Sequence, residues 1–201
     1  MPSDGEKFME EDRMLNGMPV PQRLHQEDFA QALGIAASNK YEKNNEGYLK
    51  RLFDVIRAHS ADPMSDSLRL WDICVFNYLI GNTDNHIKNL SLLYSEDLKN
   101  VRLAPAYDIV STMIYQSSTE NMALSIDGIC NINEITRASF EKAASQVGLG
   151  SKMAMKRFDD MVNGFVNAIN QAKEELKSQG FDQVEQICDR IMEKGGIKKV
   201  L

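Results

Sequence analysis

Apolar positions recur at helical spacing along most of the chain from Gln26 onward, and the period changes only near the middle. Glu27 and Asp28 supply acid for a first turn, Phe29 and Leu33 share a face, and Gly34 is a natural stop. A second helix is expected from about Glu46 to Ala58, where Tyr48, Leu49, Leu52, Phe53, Val55 and Ile56 form a broad apolar stripe. Pro63 separates it from a third, roughly Ser67 to Ile80, which is apolar nearly all round through Leu68, Leu70, Trp71, Ile73, Val75, Phe76, Tyr78 and Leu79. A helix of that kind belongs at the centre of a core. It would deliver the chain to Gly81 from a rigid platform.

Beyond Gly81 the pattern shortens. Leu90 to Tyr94 and Val101 to Leu103 read as two strands around the polar turn Ser95 to Asn100, a hairpin signature. A weaker pair is expected at Met122 to Ile126 and Ile129 to Ile132, turning at Asp127-Gly128. Helical spacing then returns. One helix is expected from about Arg137 to Val147, capped by Thr136 and ended by Gly148, and a longer one from Lys152 to Ser178 behind Ser151 as N-cap. A last helix from about Asp182 to Lys194 stops at Gly195-Gly196. Residues 1–22 are polar, with prolines at Pro2, Pro19 and Pro21, and read as a lead-in. Residues 23–201 read as one unit, mainly α with small β-hairpins.

Composition changes this picture little. The chain has 201 residues, 43% hydrophobic and 26% charged, and a formal net charge of -6, which disfavours tight non-specific nucleic-acid binding. No apolar run is long enough to span a bilayer and no secretory signal is visible at Met1-Pro2-Ser3-Asp4. Cys74, Cys130 and Cys188 are widely separated and suggest neither a metal site nor a disulfide framework, so a reduced, cytoplasmic protein is expected.

The candidate chemistry sits between the apolar helix and the first hairpin, in Gly81-Asn82-Thr83-Asp84-Asn85-His86-Ile87-Lys88-Asn89. Phosphoryl transfer would account for so polar a stretch, since it needs a carboxylate to take the acceptor's proton, oxygen ligands for magnesium and a cation near the phosphate. Protein kinases meet these needs with an Asp, an Asn five positions later, a hairpin and a second Asp. Asp84 and Asn89 have that spacing, Leu90 to Leu103 supply the hairpin, and Asp108 follows in Ala106-Tyr107-Asp108-Ile109. Lys88 falls between the Asp and the Asn, where its ammonium could reach the γ-phosphate. Other readings compete. Asp84 and Asn85 suit an ordinary turn. His86 alone suits a hydrogen-bonded loop histidine better than a zinc ligand, because His25 and His59 lie in other elements. A hydrolase using Ser91, His86 and Asp84 would lack the Gly-x-Ser-x-Gly elbow.

Gly81 to Ser91, together with Leu103-Ala104-Pro105-Ala106-Tyr107-Asp108-Ile109-Val110, resembles the C-terminal domain of HipA-type serine/threonine kinases, the toxin halves of bacterial toxin–antitoxin modules. Arg23-Leu24-His25-Gln26-Glu27-Asp28-Phe29, Gly34 and Lys40-Tyr41-Glu42 resemble the same family. The resemblance implies a kinase-like C-terminal lobe with Asp84 as catalytic base and His86, Ile87, Lys88 and Asn89 lining the ATP phosphates. It implies Asn89 and Asp108 as Mg2+ ligands, with Tyr107, Ile109 and Val110 beside the nucleotide. The implied partners are a protein substrate, a helix-turn-helix antitoxin through which any DNA contact would run, and no membrane. No glycine-rich loop or α/β-phosphate lysine precedes Arg23, and Glu6-Lys7-Phe8 reads as a remnant of the hinge that holds adenine. A lobe that needs an N-lobe from elsewhere, on a separate polypeptide for example, is the expectation; a non-catalytic module that binds an antitoxin or regulator is the alternative.

Overall fold

The computed structural model describes residues 23–43 and 46–201, together with the backbone of a small strand pair, β1 (Met14–Leu15) and β2 (Met18–Pro19). The hinge expectation at Glu6-Lys7-Phe8 lies outside the described residues. Strand β3 (Gln26–Asp28) leads into the single-turn helix α1 (Phe29–Ala32), followed by α2 (Tyr48–His59) and α3 (Pro63–Ile80). The hairpin β4 (Ser91–Tyr94) and β5 (Val101–Leu103) comes next, then β6 (Asn121–Ile126) and β7 (Ile129–Asn131). Four helices close the chain: α4 (Arg137–Gln146), α5 (Ser151–Ser178), α6 (Val184–Lys194) and α7 (Ile197–Val200). The fold is mainly helical with small antiparallel sheets, as the hydrophobic pattern indicates.

Three local expectations are corrected. Gln26 to Asp28 form a strand, not a first helical turn, because they pair antiparallel with β4 (Gln26↔Leu93, Asp28↔Ser91), more than sixty residues away. Asp28 then caps α1, its side chain accepting from Gln31 N at 2.9 Å while Gln31 returns a bond to Asp28 N. Helix α3 begins at the Pro63 boundary itself, four residues before the expected start near Ser67. Pro63 is the first residue of α3, where a missing N–H costs nothing, and Asp62 is the cap. Ser151 begins α5 instead of capping it; Gly150 stands at the cap without a side-chain bond.

Helix α3 runs through the centre. Leu70, Trp71, Val75, Tyr78 and Leu79 are fully buried, and Phe140 of α4 meets Trp71, Tyr78 and Phe158 of α5 at ring-centroid distances of 5.7, 5.0 and 4.8 Å. Each such side chain contributes about 1.5–3 kcal/mol by leaving water. The two polar ends are satisfied: Trp71 Nε1 donates to Ala154 O at 3.0 Å, and Tyr78 Oη to Ile135 O at 2.9 Å. Gly81 ends α3 at φ 73°, a left-handed turn that aims the chain away from the helix axis. Behind that turn the α6–α7 junction lies so close that a Cβ on Gly195 would sit 2.3 Å from Leu79 O. The core therefore clamps the end of α3 from the C-terminal side.

One buried carboxylate joins α3 to the hairpin. Asp66, fully buried, accepts from Ser60 Oγ at 2.6 Å, Arg102 Nε at 2.9 Å, Leu103 N at 2.9 Å and Arg69 Nη1 at 3.2 Å. Burial alone would push its carboxyl up. The bonds from Arg102, Ser60 and Leu103 N outweigh that and hold it below the usual carboxylate value.

Candidate active site

The loop from Gly81 to Leu90 is held from beneath by a ladder of amides. Asn77, fully buried inside α3, donates to Ile73 O at 2.8 Å and accepts from Asn82 Nδ2 at 2.7 Å. Asn82 Nδ2 also reaches Asp108 O at 3.2 Å, and its Oδ1 accepts from Asp84 N at 3.2 Å. A second anchor comes from Thr112, whose Oγ1 accepts from Thr83 N at 2.8 Å and donates to Gly81 O at 3.1 Å. Ala123 N of β6 donates to Thr83 O at 3.0 Å. Buried polar side chains thus replace the regular backbone ladder that this segment lacks.

On that base the sequence-predicted residues converge. The Asn89 Nδ2 donates to Asp84 O at 3.1 Å and to Asp108 Oδ2 at 2.7 Å, so one amide joins the candidate base's backbone to the second carboxylate. Asp108 is exposed and sits at φ 54°, a left-handed conformation costing a non-glycine residue roughly 1 kcal/mol. Tyr107 Oη donates to Lys88 O at 2.6 Å and meets Ser91 Oγ at 2.6 Å, tying the segment before Asp108 to the loop. Ile109 is half-buried and Val110 exposed on the same stretch. Asp84 is half-buried, and Tyr41 Oη donates to its Oδ1 at 2.6 Å.

Two expectations need correcting. The Ile87 side chain is fully buried in the core, so only its backbone is available to line a phosphate. Lys88 does not present a free ammonium: Nζ pairs with Asp28 Oδ2 at 2.6 Å, because the β3–β4 pairing brings Asp28 beside the loop. Lys88 and Asp28 side chains are 35% and 15% exposed, so the pair is only partly screened.

His86 is buried, and its Nδ1 has no hydrogen-bond partner among the described residues; Asn85 Oδ1 and Ser111 Oγ are likewise buried and unpaired. Burial, then the nearby Lys40 charge, hold the imidazole below its ordinary value of 6.5 against the pull of Asp84 and Asp108. Unpaired buried polar atoms are rare, and a water or a ligand group would satisfy these. For magnesium the donor chemistry fits. Asp108 offers a carboxylate, and the Asn89 nitrogen is used twice, which leaves Asn89 Oδ1 as a hard oxygen donor. Among the described residues no three or more His, Cys, Asp or Glu side chains cluster as a metal site.

A sequence profile for HipA-like C-terminal domains matches residues 7–169. The chain belongs to the HipA-like C-terminal domain family. Two relatives extend this. Y4mE of Sinorhizobium fredii, a candidate kinase, is 33% identical over 171 residues, covering 85% of this chain and 40% of its own. The serine/threonine-protein kinase toxin HipA of Shewanella oneidensis is 32% identical over 139 residues, covering 64% of this chain and 31% of its own. A chain in the solved complex of HipA, HipB and operator DNA from Shewanella oneidensis superimposes with a TM-score of 0.72 at 23% identity, covering 90% of this chain and 46% of that one. This HipA-like chain thus shares its mainly helical fold with part of the chain in that complex, and it spans about 40% of the length of Y4mE.

Asn77, Asn82 and Tyr41 are among the supports of the site that the sequence did not announce. Asn77 carried a signal, a lone amide in an apolar helix run. Asn82 lay inside the motif without a role. Tyr41, forty-three residues before Asp84, carried no local signal for contact. Among the described residues no helix is long and apolar enough to cross a membrane.

Proposed function

We propose that this HipA-like domain is the catalytic lobe of an ATP-dependent serine/threonine protein kinase. The observation that supports it best is the Asn89 amide, which bonds both to Asp84 O and to Asp108 Oδ2 and so ties the segment of the candidate base to the candidate metal carboxylate. In this reading Asp84 accepts the proton of an incoming serine or threonine hydroxyl as its oxygen bonds to the γ-phosphorus of ATP and the bond to the ADP oxygen breaks. Asn89 and Asp108 would hold Mg2+, which offsets charge on the phosphate oxygens when bound. His86, the Ile87 and Lys88 backbone and Asn89 line the phosphates, with the unpaired Nδ1 of His86 available to donate to a phosphate oxygen or to meet a bridging water. Tyr107, Ile109 and Val110 flank them.

A glycine-rich loop and a lysine for the α- and β-phosphates are not among the described residues. Turnover is therefore proposed to need a segment that supplies them, on this polypeptide or another. The Shewanella oneidensis complex supports an antitoxin-type protein as partner class, with DNA reached through it. The test of the central reading is transfer from γ-labelled ATP to protein acceptors, with an N-lobe segment supplied where transfer requires it. Asp84→Asn is expected to lower the rate by about 100-fold to 10,000-fold by removing the proton acceptor. Transfer persisting in that variant overturns the assignment. Loss of all transfer together with retained antitoxin capture in a pull-down would instead favour a binding module.

A further inference from the structure

The candidate base has a second tether that neither the motif nor the metal site requires. Tyr41 Oη lies 2.6 Å from Asp84 Oδ1, and the Tyr41 ring meets the His86 ring edge-on at 5.3 Å. We propose that Tyr41 is a positioning residue for phosphoryl transfer: its hydroxyl occupies Oδ1 of Asp84 and so turns Oδ2 toward the acceptor hydroxyl. This rests on the reading of Asp84 as proton acceptor.

The geometry is built by the backbone, not by the hydroxyl. Glu42, next to Tyr41, is buried, and its carboxylate accepts from Gly47 N at 2.7 Å, Tyr48 N at 3.3 Å and Ser125 N at 2.7 Å. Tyr48 Oη donates to Asn39 O at 3.0 Å, closing the same loop from its other side. The decisive link is Ala123 of β6. Its carbonyl accepts from Glu42 N at 3.0 Å and its N–H donates to Thr83 O at 3.0 Å. One strand residue therefore sets both the Tyr41 segment and the Asp84 segment, and fixes the distance between them.

The two carboxylate oxygens of Asp84 are consequently unequal. Oδ1 is taken by Tyr41, whereas Oδ2 accepts no hydrogen bond among the described residues. A neutral tyrosine suits this role. It donates without adding charge, and the Asp84 bond, then burial and the Asp84 charge, push its hydroxyl up to about 12, so it stays protonated at neutral pH. The ring is 41% exposed, so it contributes little to the core. That separates a positioning role from a structural one: removing the hydroxyl leaves Glu42, Ala123 and Thr83 bonded as before.

The experiment has an arm that needs no turnover. Tyrosine ring-carbon NMR of the full chain, labelled and assigned through Tyr41→Phe, is expected to show Tyr41 titrating near 12, and Asp84→Asn is expected to bring it back toward 10. A Tyr41 that titrates near 10 in the unsubstituted chain, or that ignores Asp84→Asn, overturns the proposal outright. In the transfer assay Tyr41→Phe is expected to lower kcat by about 10-fold to 100-fold with KM for ATP unchanged. Tyr41→Leu is expected to lower kcat about as much as Tyr41→Phe; full kcat in Tyr41→Phe with a large loss in Tyr41→Leu would mean the ring acts structurally and would overturn the hydroxyl's role. Full kcat in Tyr41→Phe beside an inactive Asp84→Asn sinks the positioning role alone. Transfer retained in Asp84→Asn sinks the reading of the site itself.

Discussion

Replacing Asp66 by Asn tests whether the hairpin that spaces Asn89 from Asp108 is held by one buried charge. Asp66 has no solvent exposure and accepts from Ser60, Arg69, Arg102 and Leu103 N. Asn keeps the shape but removes the charge and turns one acceptor into a donor facing donors. Removing one partner of a buried pair costs about 3–5 kcal/mol. Arg69 and Arg102 are each 42% exposed and regain water, which moves the expectation to about 2–3 kcal/mol. For a domain of this size that is a Tm lower by roughly 4–12 °C. The pH dependence has a definite sign. The folded-state carboxyl lies below the usual value. Its contribution is therefore complete above the unfolded-state value near 4 and is lost as pH falls through the lower folded-state value. Urea denaturation of both proteins between pH 7 and pH 2.5 should show the largest gap at neutral pH and a narrowing one in acid. A gap below about 0.5 kcal/mol at pH 7, or one that does not narrow, would refute the assignment of the linkage to Asp66.

Three further outcomes follow from the geometry. Lys88→Met and Asp28→Asn are each expected to cost about 1 kcal/mol, with a double variant that costs less than their sum, read by urea denaturation. Additive costs would show that the pair carries no coupling. Lys88→Met should also leave Mg-ATP affinity within about threefold by calorimetry, since an ammonium held by Asp28 gives little to a phosphate; a loss above about tenfold would return Lys88 to the phosphate. Gly195→Ala should cost at least about 2 kcal/mol in thermal unfolding, because its Cβ would stand 2.3 Å from Leu79 O and 2.8 Å from Ile191 O. A stable Gly195→Ala protein would mean that the α6–α7 junction does not clamp α3 as described.

Much of the site was legible because its chemistry is local. Asp84, His86 and Asn89 fall within six residues, and Asp108 follows one hairpin later. The hairpin geometry that brings Asp108 to Asn89 needs only alternation and turn residues to be recognised. What could not be read were the partners of those residues. The Lys88 position predicted a cation at the phosphate, yet the strand Gln26–Asp28 brings Asp28 to it across a sixty-residue gap. Three residues are too few to show a period, and their acidic composition resembles a helix start, so helix and strand were indistinguishable there.

The linear pattern of the chain determined its helical elements, the hairpin and the identity of the chemical groups, because periodicity, caps and motif spacing act over a few residues. Only the tertiary structure decided how those groups are used. It buried the Ile87 side chain, paired Lys88 with Asp28, left His86 Nδ1 without a partner among the described residues, and set Tyr41 on Asp84 through Ala123. Each of these depends on where distant backbones meet and on which polar atoms lose water there. Such contacts leave no periodic trace in the order of residues.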